Sequence, residues 1–136
     1  MRKKIQALTA AVTTILLSCN AIGGHHESLK PPAKPGQVIV TYRGECPADA
    51  RENAIAKIKE IILYERENSP VLYVSSPGVW VDGKVGAIDV HESEEAMNKA
   101  FAWQSADSIW SESYDSVATS CGVKVEDFEV SILKAQ

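Results

Sequence analysis

The sequence predicts an α+β domain of order β-α-β-β-α-β, carried behind an amino-terminal segment of a different kind. Three observations predict it. Residues 48 to 67 and 93 to 119 repeat apolar side chains at helical spacing, whereas four short stretches are β-branched or alternate. Asp82-Gly83 stands between two of those short stretches, a strong two-residue hairpin signal. The two later cysteines, Cys46 and Cys121, fall just past the first short stretch and just before the last.

The first strand is Gln37 to Arg43, QVIVTYR, rich in β-branched residues and closed by Gly44. Pro47 suits a first helical position, where its missing N–H would have no partner anyway. Between 48 and 67, Ala54, Ile55, Ile58, Ile61, Ile62 and Glu65 share one stripe, so this helix buries one face. Asn68-Ser69-Pro70 ends it, and Val71 to Ser75 forms the second strand. Pro77-Gly78 offers a turn or bulge before Val79-Trp80-Val81, and Lys84 to His91 returns past Asp82-Gly83 as the third strand. Ser93 is placed as an N-cap, with Glu94 and Glu95 in a first turn whose dipole favours anions. The second helix is expected to run unbroken to about Thr119, burying Met97, Ala100, Phe101, Ile109, Trp110, Tyr114 and Val117, until Gly122 stops it. Phe128 to Leu133, FEVSIL, alternates as the fourth strand.

This order is the ferredoxin-like plan, a four-stranded antiparallel sheet with both helices on one face. In that plan the end of the first strand and the start of the fourth meet at one edge, on neighbouring strands. Cys46 and Cys121 are thereby brought together, and in an oxidising compartment they form a disulfide; two unpaired buried thiols are the alternative. Val38, Ile39 and Val40, like Val71 to Val74, are apolar in both parities. A sheet wet on one side alternates more cleanly, so the second face also meets a partner, most simply the same sheet of a second copy.

Arg2, Lys3 and Lys4 precede an uncharged run from Ile5 to Leu17, the layout of a bacterial export signal. The run is shorter than the roughly 20 apolar residues that a membrane span requires. Leu16-Leu17-Ser18-Cys19 resembles the lipobox of bacterial lipoproteins. That resemblance implies removal of residues 1 to 18 and lipidation of Cys19, which would fix the protein permanently to a lipid bilayer. An ordinary secretory signal with an incidental cysteine is the alternative. Asn20 in place of Asp resembles the outer-membrane sorting choice of enterobacterial lipoproteins, so the expected location is the cell envelope, facing the periplasm. Residues 19 to 36, rich in Gly and Pro, read as a flexible tether, leaving 37 to 136 as the domain. His25-His26 could hold a transition metal only loosely, and neither a metal site nor a cofactor is expected. Without residues 1 to 18 the 14 basic side chains fall to 11 against 18 acidic ones, taking the formal charge from −4 to −7. Nucleic acid is therefore not an expected partner.

The stretch Ala87 to Met97, AIDVHESEEAM, resembles the third-strand-to-second-helix junction of antibiotic biosynthesis monooxygenase-like domains, the dimeric α+β barrels. Glu92, Ser93, Glu95 and Ala96 match the pattern, and His91 stands where those domains commonly carry Trp. In element order the resemblance covers residues 37 to 134. It implies a homodimer packed sheet on sheet, with a pocket in each subunit between sheet and helices. Active members oxidise polycyclic aromatics or quinols without a cofactor, or degrade haem. The haem-degrading branch needs an Asn on the first strand and a His on the second helix, and this chain has neither. Ala100 also stands where many relatives place a His early in the second helix.

Tyr42, Tyr73, Trp80, His91, Trp103 and Trp110 are the candidate pocket residues for a flat hydrophobic ligand, with His91 titrating near neutrality. Plainer roles are a surface or capping position for His91 and core positions for Phe101 and Trp110. Residues 105 to 116, SADSIWSESYDS, read as a polar helix face, because a hydrolytic triad needs a positioned His as well. Two functions remain open. One is an envelope lipoprotein whose barrel is a small-molecule-binding or assembly module without evident catalytic residues. The other is a cofactor-independent monooxygenase for an aromatic or quinol-like substrate. A cavity of several hundred Å³ lined by Trp80 and Trp110 would favour the second, and a collapsed interior the first.

Overall fold

The computed structural model describes residues 30–136. The expected export signal, Cys19 and His25-His26 lie outside the described residues. The elements are β1 (Val38–Gly44), α1 (Arg51–Asn68), β2 (Tyr73–Val79), β3 (Val85–His91), α2 (Glu94–Ala106), α3 (Ser108–Ser120) and β4 (Glu129–Lys134). A 3₁₀ turn, Val125–Asp127, precedes β4.

The strands form one antiparallel sheet in the order β2-β3-β1-β4, so the ferredoxin-like α+β fold is as the element order predicts. Pairing of Val38 with His91 and of Tyr42 with Ala87 fixes the register. Because strand side chains alternate, Val38, Val40 and Tyr42 share one face with Val85, Ala87, Asp89 and His91, and β2 adds Tyr73 and Ser75. The helices cover that face. Ile58, Ile61 and Ile62 of α1 pack there with Val117 and Ala118 of α3, Val85 and Phe128. A smaller cluster joins Val38 and Val40 to Met97 of α2. Cys46 and Cys121 are disulfide-bonded, 4.6 Å apart at Cα and 75 residues apart in sequence. Closing a loop of that size stabilises by about 4 kcal/mol in the chain-entropy account.

Three details differ from expectation. The single long second helix is two helices, α2 and α3, broken at Asp107. Asp107 is extended, and its carboxylate accepts from Trp110 N at 2.8 Å, so it caps a new helix instead of continuing the old one. The break also turns Ile109 outward, 56% exposed, where the unbroken stripe would bury it. Third, β2 runs straight through Pro77-Gly78, with Pro77 opposite Ala87. β2 is an edge strand, where a residue lacking N–H need not break the ladder.

At the start of the described chain, Gly36 N–H donates to Ala135 O at 2.9 Å, and Ala135 N–H returns to Gln37 O. The last residues of the expected tether are thus tied to the end of β4. On the outer face of the sheet, Val74, Ile88 and Leu133 are exposed. The double-parity apolar pattern therefore leaves an uncovered apolar surface in the single chain.

Candidate functional site

Two acidic side chains occupy positions that the fold reserves for its core. Glu65 continues the α1 stripe one turn beyond Ile61 and is 6% exposed; Asp89 follows Val85 and Ala87 along the helix-facing side of β3 and is 4% exposed. Among the described residues neither carboxyl forms an ion pair.

Neutral donors hold Glu65. Trp110 Nε1 donates to its Oε1 at 2.7 Å, and Gln104 Nε2 donates to the same oxygen at 3.3 Å and to Tyr73 Oη at 3.2 Å. Burial nonetheless wins, and the Glu65 carboxyl titrates above its ordinary range. Asp89 lies across the sheet from Ser75. Its burial, with the Glu65 charge added, pushes its pKa up to about 7, while the Ser75 and Tyr42 hydroxyls pull it partly back. Those hydroxyls approach without completing a hydrogen bond, and Tyr42 Oη and Ser75 Oγ remain buried and unpartnered. Burial also raises Tyr42, Tyr73 and Tyr114 far above the usual phenol range.

Between the sheet and the helices lies a cavity of about 40 Å³, bordered by Tyr42, Glu65, Asp89, Gln104, Trp110 and Tyr114 together with apolar residues of α1. That is room for roughly three water-sized groups. A groove of about 260 Å³ opens beside it, sharing Tyr42, Gln104, Trp110, Tyr114 and Phe128 as walls and adding Phe101 and Val130. β4 makes this groove possible. Val130 and Ile132 lie on the helix-facing side opposite Tyr42 and Val40, yet no helix reaches over them and both stay exposed. The common wall is aromatic: Trp110 and Tyr114 stack at 5.0 Å, while Tyr42 and Phe128 meet Tyr114 edge-on at 6.4 and 5.5 Å. Asp107 sets this wall up, because the helix it starts presents Trp110 and Tyr114, four residues apart, to the sheet. Tyr64 of α1 donates to the Asp107 carboxylate at 3.1 Å and ties the break to the neighbouring helix.

Of the six candidate pocket residues, Tyr42 and Trp110 border the cavity. Tyr73 and His91 share the same interior, with rings 4.6 Å apart. His91 is wholly buried and packs edge-on to Phe101, so it is not the surface cap that a strand end allows. Both of its ring nitrogens are unpartnered, and burial lowers its pKa, keeping the imidazole neutral. Trp80 is elsewhere. Strand alternation carries it to the outer face, where its Nε1 donates to Tyr42 O at 3.3 Å and the Arg43 guanidinium sits 4.9 Å from its ring. Trp103 stacks on Tyr64 at 6.1 Å and borders neither the cavity nor the groove. Asp89, Gln104 and the polar role of Glu65 went unrecognised in the sequence. Their signal is a polar residue at a core-parity position: Asp89 within VGAIDVH, and Glu65 closing an isoleucine stripe. No cluster of three or more potential metal ligands occurs among the described residues, and no helix there is long and apolar enough to cross a membrane.

No protein-family model matches the chain, and no curated protein matches it. Solved structures do. A dimeric ferredoxin-like protein of unknown function from Jannaschia sp. CCS1 superposes with a TM-score of 0.56 at 13% identity, over 74% of this chain and 100% of its own. A conserved protein from Methanosarcina mazei Go1 gives 0.55 at 7% identity, over 74% and 93%. At these identities the likeness shows the ferredoxin-like fold alone.

Proposed function

We propose that this chain is a lipid-anchored bacterial envelope protein whose domain pairs through its outer sheet face and binds a small hydrophobic molecule in the groove between α2, α3 and β4. The observation that carries the reading is the aromatic groove of about 260 Å³ standing next to a smaller cavity that Glu65, Asp89 and Gln104 help to border. Apolar walls converging on a few polar groups are the usual make-up of a small-molecule site. Binding without chemistry is the simpler form of the reading. Oxidation of a polycyclic substrate calls for a chamber of several hundred Å³, and the cavity between sheet and helices is about 40 Å³.

Anchoring is supported by Leu16-Leu17-Ser18-Cys19 behind an uncharged run. Pairing is supported by the exposed apolar residues of the outer face and by the dimeric state of the Jannaschia protein. The test expresses the full chain in a bacterial host, fractionates the envelope and examines the detergent-extracted protein by native mass spectrometry. A dimer lacking residues 1 to 18, carrying acyl mass on Cys19 and a small-molecule adduct, is the expected result. A soluble, unacylated monomer without adduct would overturn the proposal.

A further inference from the structure

Resting on that reading of the groove, we propose that the ligand is an organic amine whose ammonium head enters the cavity against Asp89 and Glu65 while its apolar body lies in the groove. Size separates the two parts. About 40 Å³ admits a water-sized head and excludes a ring, whereas the groove of about 260 Å³ admits the ring.

Charge selects the head. Neither space is bordered by Lys, Arg or His, so the two buried carboxyls have no built-in counter-charge there. A hydrocarbon would leave them uncompensated, and an anionic ligand would be repelled. An ammonium supplies the missing charge and three N–H donors. The side chains of Asp89, Glu65 and Tyr42 are among those that border the cavity, and Tyr42 Oη is buried without a partner of its own. The walls agree with the same choice, because the faces of Trp110, Tyr114 and Tyr42 attract a cation where water is excluded. The titratable groups around Asp89 are Glu65 on α1, the phenols Tyr42, Tyr73 and Tyr114 on β1, β2 and α3, and His91 two residues along the same face of β3, whose pKa burial lowers. Burial disfavours ionised Asp89, and a bound ammonium restores it.

The test uses the full chain in lipid nanodiscs and three probes of one shape: 2-phenylethylamine, 2-phenylethanol and phenylacetate, followed by calorimetry at pH 8. The amine is expected to bind at least about tenfold more tightly than the alcohol, with phenylacetate weakest. In Asp89→Asn the amine should fall to the level of the alcohol while the alcohol is unchanged. Glu65→Gln, checked for folding by circular dichroism, should reduce the same preference. Equal binding of amine and alcohol, or an amine preference that survives Asp89→Asn, overturns the amine inference and leaves the groove as a hydrophobic site. Failure of every probe to bind overturns the groove reading, and the inference with it.

Discussion

Replacing Asp89 by Asn should change how stability depends on pH more than it changes the fold. The buried carboxyl titrates at about 7 instead of its ordinary 3.8. Between those values the folded chain keeps a proton that the unfolded chain has released, so stability falls as pH rises from about 4 to about 7 and is level above that. The gap corresponds to about 4 kcal/mol, lost at about 1.4 kcal/mol per pH unit. Asn has the shape and neutrality of the protonated acid, so the variant lacks this slope. The assay is urea unfolding of both proteins under non-reducing conditions at pH values from 4 to 8. Glu65 titrates in both, so the difference between the two curves reports Asp89 together with its coupling to Glu65. Asp89→Asn should gain about 4 kcal/mol on the wild type across the range. Curves that stay parallel would refute the claim that this carboxyl is buried without a counter-charge.

Other outcomes follow from the same structure. Cys46→Ser combined with Cys121→Ser removes a 75-residue closure and should lower the urea-derived stability by about 4 kcal/mol. A Cβ on Gly86 would stand 1.8 Å from Tyr42 O, a backbone atom that cannot swing aside, so Gly86→Ala should cost at least about 2 kcal/mol, read as a lower melting temperature. Val74→Lys with Ile88→Lys places charge on exposed outer-face positions; the monomer should change by no more than about 0.5 kcal/mol, while sedimentation equilibrium should show the dimer lost.

The fold was legible because its elements differ in period and are separated by strong punctuation. QVIVTYR and FEVSIL read as strands, the isoleucine stripe of α1 as a one-sided helix, and Asp82-Gly83 as the hairpin joining β2 to β3. Cys46 and Cys121 then followed from topology. The break at Asp107 was hidden because apolar spacing continues through it, and one carboxylate that caps a backbone N–H outweighs the period locally. The site was harder to see. Aromatic residues advertise a pocket wherever they occur, but alternation sends Trp80 to the outer face and helix packing sends Trp103 onto Tyr64. What marks the interior is polarity out of place, Asp89 in a strand of core parity and Glu65 in an apolar stripe, and such positions become meaningful only once the register is known.

Carbon-13 NMR of the Asp89 side-chain carboxyl, titrated in the oxidised chain without ligand and again with saturating 2-phenylethylamine, tests the central claim most directly. A midpoint near 7 that drops when the amine is present is the predicted result. A midpoint near 4 in the free protein, unmoved by the amine, would contradict it.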